Sequence, residues 1–165
     1  MEPGKVEIRP LDDADWPSVY RFFSAIVAAG ETYAYPEGLD SDAARALWTA
    51  PGHVVVAVDG DTVLGSAGMG TNRPGRGAHV ATGSFMVDPA HAGRGVGRAL
   101  GEYLVRWARD EGYRGVQFNA VVETNAPAVH LWQALGFRIV GTVPGAFRHP
   151  TLGYVGLHVM YLDLT

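Results

Sequence analysis

The sequence predicts an α/β fold built on a central sheet of mixed, mostly antiparallel direction, about seven strands wide, with helices on both faces. Three observations carry that prediction. Two apolar runs at 53–58 and 62–69 flank Asp59-Gly60-Asp61, a hairpin signal whose glycine tolerates positive φ. Further on, strand patterns alternate with two helix patterns, the order that lays helices against a sheet. No repeat, low-complexity tract or linker divides the chain, so residues 1–165 are read as one domain, able to bury roughly 70% of its unfolded-state surface.

Residues 5–9 read as a short strand. Trp16, Val19, Tyr20, Phe23, Ile26 and Val27 then recur at helical spacing, and Gly30 ends that amphipathic helix. Ser41 is read as the cap of a second, short helix running through Trp48. After the 53–69 hairpin and a Gly/Pro/Arg loop at 70–77, residues 79–87 form a strand stopped by Asp88-Pro89. Leu100, Tyr103, Leu104, Trp107 and Ala108 make the apolar stripe of a long helix ending near Gly112. In the next strand, 116–121, Val116, Phe118 and Ala120 share one face, while Gln117 and Asn119 take the other. A helix at 125–135 with Pro127 in its first turn and strands at 137–141 and 154–162 complete the chain.

Composition narrows the function classes. With 47% hydrophobic and 18% charged residues, the chain has the make-up of a soluble globular protein. A net charge of -4 argues against a nucleic-acid partner held by a basic field. The absence of cysteine excludes disulfides, zinc-thiolate sites and cysteine nucleophiles. Residues 1–10 (MEPGKVEIRP) hold no apolar leader segment, and no run reaches the ~18 apolar residues of a membrane span, so a cytoplasmic location without a membrane partner is expected. The six histidines are scattered without ligand spacing, and no metal site is expected.

The most informative segment is Val87-Asp88-Pro89-Ala90-His91-Ala92-Gly93-Arg94-Gly95-Val96-Gly97-Arg98-Ala99-Leu100, where a strand ends and three alternating glycines open a long helix. Missing side chains let a ligand approach the main chain, and the first helical turn offers unpaired N–H groups, so an anion fits there. The plain structural reading is that the glycines serve only a tight strand-to-helix turn. A dinucleotide fingerprint fails because Arg98 stands where its third glycine belongs, and a Walker A loop fails for want of Gly-Lys-Ser/Thr.

Ala92-Gly93-Arg94-Gly95-Val96-Gly97 resembles the Gln/Arg-x-x-Gly-x-Gly/Ala motif of the GNAT N-acetyltransferases. Asn125-Ala126-Pro127-Ala128-Val129-His130-Leu131-Trp132-Gln133-Ala134-Leu135-Gly136-Phe137 resembles the same family's Asn-x-x-Ala-Ile/Val-x-Leu-Tyr-x-x-Leu-Gly-Phe segment. The resemblance implies acetyl-CoA as cofactor, with its pyrophosphate on the N–H groups of Gly93, Arg94, Gly95, Val96, Gly97 and Arg98. It further implies a pantetheine arm paired to the backbone of Phe85, Met86 and Val87, and direct attack of an amine in a ternary complex. Two positions depart from the family pattern. Ala92 replaces Gln/Arg, removing a side-chain contribution to the loop, and Trp132 replaces a tyrosine that many members use to protonate the departing thiolate. Indole is no proton source, so no dedicated acid is expected there.

For catalysis, the strand N–H near Val87 is the expected oxyanion donor, with Asn119 adding an amide contact and Asn125 either an N-cap or a contact to cofactor or substrate. Base candidates are His79, Glu31, Glu123 and His149, acting directly or through water. Residues 79–148 further resemble the fungal acetyltransferases acting on azetidine-2-carboxylate and related proline analogues. That resemblance implies a small-molecule amine acceptor lined by Asn119 and Asn125. Glu31, Thr32 and Tyr33, in a hydroxyl-rich loop after the first helix, are candidates to close over it, and Arg148 to pair with a substrate carboxylate. A noncatalytic acyl-CoA-sensing domain and a protein or peptide acetyltransferase are the rival readings. A homodimer is the assembly the family analogy offers.

Overall fold

The computed structural model describes residues 4–165; residues 1–3, part of the N-terminal segment read above, lie outside the described residues. Seven strands form one sheet in the order β1-β2-β3-β4-β5-β7-β6. They are β1 (Glu7–Pro10), β2 (His53–Asp59), β3 (Thr62–Thr71), β4 (Val80–Val87), β5 (Gly115–Val122), β6 (Arg138–His149) and β7 (Gly153–Asp163). Every neighbouring pair is antiparallel except β4 and β5. The helices are α1 (Trp16–Ala29), α2 (Ser41–Thr49), α3 (Val96–Asp110) and α4 (Ala126–Ala134). Among the described residues no helix is long and apolar enough to cross a membrane.

The period of two in β2 explains how both faces are covered. Val55 and Ala57 join α3 and α4 in one core with Leu64, Leu100, Leu104 and Trp132, while Val56 and Val58 join α1 and α2 with Phe22, Phe23 and Trp48. A strand buried on both sides reads as an unbroken apolar run, as residues 54–58 do. The one polar side chain completely enclosed there, Ser66, accepts from Trp48 Nε1 at 2.9 Å and donates to the Val55 carbonyl at 2.8 Å, so its burial leaves no group unpaired. On the other face, Gly101 permits the close approach of α4. A Cβ there would lie 2.8 Å from both Trp132 and Leu135.

Three local expectations are corrected. Asp40, not Ser41, caps α2: its carboxylate accepts from the Ala43 N–H at 2.8 Å, while Ser41 Oγ accepts from Trp16 Nε1. The strand expected at 137–141 continues as β6 to His149. Pro144 and Gly145 signal a break, but β6 is an edge strand whose pairing with β7 shifts register between Val143 and Phe147, and an edge bulge accommodates both residues. In β5 the register shifts between Phe118 and Val121, so the simple alternation ends. Phe118 is buried, but Ala120 is exposed beside Asn119 instead of sharing its face.

Asp88, at the end of β4, is 2% exposed. Burial alone would raise its carboxyl pKa, but the Ala90 N–H at 3.0 Å and Arg21 Nη2 at 2.7 Å hold it below the usual carboxylate range. The depressed native pKa makes this a stabilising contribution present above the ordinary carboxylate range and lost as pH falls through the native pKa. Asp88→Asn is expected to lower unfolding free energy by about 1–2 kcal/mol at neutral pH, measured by urea denaturation. The gap between variant and parent should close as the solution is acidified into the carboxylate range.

Candidate active site

β4 and β5 pair at only two positions, Val80↔Gly115 and Ala81↔Val116, and then part. Between them opens a cavity of about 440 Å³, walled by Thr82, Gly83, Ser84, Phe85 and Val87 on one side and by Phe118, Asn119, Ala120, Val121 and Val122 on the other. An aromatic cluster on the α4 side fills the base of the split. Phe85 lies 4.6 Å from Trp132 and 5.6 Å from Phe118, and Phe118 lies 4.7 Å from Trp132 and 4.5 Å from Phe137, centroid to centroid.

The parity of β4 decides which backbone groups face the split. Asp88 N–H donates to the Leu64 carbonyl, and the Val80 carbonyl accepts from Asn72 N–H, so residues 80, 82, 84, 86 and 88 direct their peptide groups toward β3. Gly83, Phe85 and Val87 therefore direct theirs into the cavity. Met86 does not belong to that set: its side chain is buried against α1 and its peptide groups serve the ladder with β3.

Just past β4, the loop at 92–98 presents six consecutive backbone N–H groups, from Gly93 to Arg98, with no acceptor among the described residues; the first helical bond beyond them is Ala99 N–H to the Gly95 carbonyl. Gly93 and Gly95 have φ of +82° and +76°, and a Cβ on either would meet nothing within 4 Å, so the loop is open to a ligand. Gly95 caps α3 without a side chain. The donor set fits a diphosphate: six consecutive N–H groups without an acceptor among the described residues, at the positive end of a 15-residue helix, with no side chain on Gly93, Gly95 or Gly97. The nearby cations are tied elsewhere, Arg94 to Asp59 at 2.9 Å and Arg98 to Glu102 at 2.9 Å. The loop therefore offers main chain, and Ala92 adds no side-chain donor to it.

The structure brings Thr32, Tyr33, Phe85, Val87, Gly97, Asn119 and Asn125 into the cavity wall. Asn119 donates from Nδ2 to Asn72 Oδ1 at 2.7 Å and accepts from Gln117 Nε2 at 3.0 Å. Asn72, in the loop after β3, is a polar partner that sequence reasoning missed, because no spacing links residues 72 and 119. Asn125 Oδ1 accepts from Ala128 N–H at 3.4 Å, capping α4, and its Nδ2 has no partner among the described residues. Trp132 is 6% exposed and packs in the aromatic cluster.

Other expected site residues lie elsewhere. Glu31 is exposed and Arg148 stands on the exposed side of β6 opposite Tyr154, both outside the cavity wall, whereas Phe147 beside Arg148 lines it. None of the base candidates lines it either. His79 is exposed; Glu123 Oε1 accepts from Gly156 N–H at 2.8 Å; and His149 Nδ1 accepts from the Leu152 N–H at 3.1 Å in the β6–β7 turn. Among the described residues, the wall contains no Asp, Glu, His, Lys or Arg. Among the described residues no group of three or more His, Asp or Glu is placed to hold a metal ion.

Comparison with known proteins identifies the family. The family model described as the acetyltransferase (GNAT) family matches residues 14–137. A GCN5-related N-acetyltransferase from Kribbella flavida is 60% identical, with 96% of this chain and 98% of that one covered and a TM-score of 0.93. The structure of yncA from Salmonella typhimurium, solved with its cofactor acetyl-CoA, is 26% identical over 97% of this chain and 94% of that one, with a TM-score of 0.84. The L-amino acid N-acyltransferase MnaT of Escherichia coli is 35% identical over 92 residues, 55% of this chain and 53% of that protein. The chain spans about half the length of such curated relatives. With one relative 60% identical over 96% of this chain and the family model matching residues 14–137, this chain belongs to the acetyltransferase (GNAT) family, whose members transfer acetyl groups from acetyl-CoA.

Proposed function

We propose that the chain acetylates the primary or secondary amine of a small, amino-acid-like acceptor by direct attack within a ternary complex. The observation carrying this reading is the uncharged cavity between the parted strands, with Asn119 and Asn125 in its wall and the six-amide loop at its end. A cavity of about 440 Å³ lies within the range of small-molecule sites. The name of MnaT, an L-amino acid N-acyltransferase, points to the same acceptor class.

Acetyl-CoA supplies an activated thioester carbonyl. The N–H groups of residues 93–98 would hold its pyrophosphate, and the peptide groups of Val87 its amide arm, as a neighbouring strand would be held. A backbone N–H fixed in β4 is already oriented to receive negative charge developing on the carbonyl oxygen. Asn119, its amide plane set by Asn72 and Gln117, would orient the acceptor together with the free Nδ2 of Asn125.

The wall lacks a side-chain base. Tyr33 and Tyr35 are its titratable members, and burial pushes both phenols up, so they remain protonated donors at neutral pH. The amine must then arrive neutral or lose its proton to water. Consequently kcat/KM should rise about tenfold per pH unit below the acceptor's own amine pKa and level off above it. A plateau set near pH 6.5 whatever the acceptor would instead identify a histidine of the enzyme as base.

Free-thiol release from acetyl-CoA, measured across amino acids, proline analogues, aminoglycosides and short peptides, tests the acceptor class. The reading predicts turnover with the amino acids or proline analogues. Turnover confined to peptides would replace it with a peptide acetyltransferase, and cofactor binding without any turnover with a sensing domain. Asn119→Ala should lower kcat/KM for the acceptor by about tenfold to a hundredfold while acetyl-CoA affinity stays within about twofold. Equal losses in both would remove the acceptor role.

A further inference from the structure

The Tyr33 hydroxyl does something the acceptor reading does not use. It accepts from the Phe85 N–H at 2.8 Å and donates to the Phe85 carbonyl, bridging the two peptide groups of a single residue. N–H and C=O of one strand residue point to the same side, and for Phe85 that side is the split between β4 and β5. The phenol oxygen therefore sits at the open strand edge, where the next strand's peptide would lie in a continuous sheet. Its ring stacks on Tyr35 at 5.1 Å, and Tyr35 stacks on Phe23 of α1 at 5.7 Å, so an aromatic stack holds the hydroxyl in place.

Position along β4 gives this contact a meaning, which rests on the cofactor reading above. An arm running from the 93–98 loop along the free edge of β4 meets Val87 first. Phe85 comes next on that edge, about 6.6 Å further from the phosphates. The amides of pantetheine precede the thioester, so the acyl oxygen falls at the more distant N–H. We propose that the Tyr33 hydroxyl occupies the acyl-oxygen position on Phe85 N–H, and that it yields this N–H to the thioester carbonyl of acetyl-CoA but not to free CoA. Tyr33 is thereby a specificity-determining residue that senses whether the cofactor carries an acyl group. Its displacement shifts the 31–40 segment, which also carries Thr32 and Tyr35 of the cavity wall. Burial keeps the phenol protonated and so able to make both hydrogen bonds.

The test is calorimetric affinity for acetyl-CoA and for CoA in the parent and in Tyr33→Phe, which keeps the stacked ring and removes the competing hydroxyl. The expected result is acetyl-CoA bound about threefold to tenfold more tightly by the variant, with CoA affinity within about twofold of the parent. A parallel change in both affinities, or weaker acetyl-CoA binding, would overturn the proposal while leaving the cofactor reading intact. Failure of the parent to bind either nucleotide would overturn both. In the unmodified protein, the Phe85 amide ¹H–¹⁵N resonance should move on adding acetyl-CoA and stay near its free position with CoA; equal movement with both ligands would contradict the assignment.

Discussion

The early parting of β4 and β5 is the constraint on which the rest of this structure depends. Two residue pairs hold the only parallel contact in the sheet among the described residues, and beyond them a strand buried in the middle of the fold has one edge without a neighbouring strand. Such an edge leaves peptide groups that must find partners, and in an interior position those partners come from a ligand or from side chains. Here the Phe85 peptide groups find Tyr33. What separates the strands is physical bulk and register: Phe85, Phe118, Trp132 and Phe137 pack beneath the split, and the β5 bulge after Phe118 turns Asn119 and Ala120 toward it.

The phosphate-type loop and the split work as one feature because β4 runs directly into the loop. Asp88 makes that junction rigid, since its carboxylate caps the 89–91 turn and pairs with Arg21 of α1, while its N–H completes the ladder with β3. A diphosphate at residues 93–98, an amide arm at Val87 and an acyl oxygen at Phe85 would thus be measured along a single stiff segment. The charge that such a ligand requires comes from the helix end and the loop amides, because Arg94 and Arg98 are paired with Asp59 and Glu102.

The parts of this arrangement that were legible in the sequence are those written in consecutive residues. The alternating glycines before α3, the hairpin at Asp59-Gly60 and the unbroken apolar run of β2 are local signals, and the structure follows them. Less legible were features produced by tertiary pairing. The extension of β6 through Pro144 and Gly145 depends on its being an edge strand, and the β5 bulge depends on its register with β7. Asn72 reaches Asn119 across the sheet, and Tyr33 reaches Phe85 from a loop 52 residues earlier. Glu31 and Arg148 were plausible by residue type, yet one-residue differences in facing leave Thr32 and Phe147 in the wall instead.

The central claim, that a cofactor arm completes the free edge of β4 while the loop holds its phosphates, is tested most directly by residue-resolved amide hydrogen exchange with and without acetyl-CoA. The account predicts that Ser84 and Met86, already bonded to β3, and Phe85, already bonded to Tyr33, change little, while the amides of Val87 and residues 93–98 become protected. Unaltered exchange at these positions in a cofactor-bound protein, with protection appearing elsewhere, would contradict it.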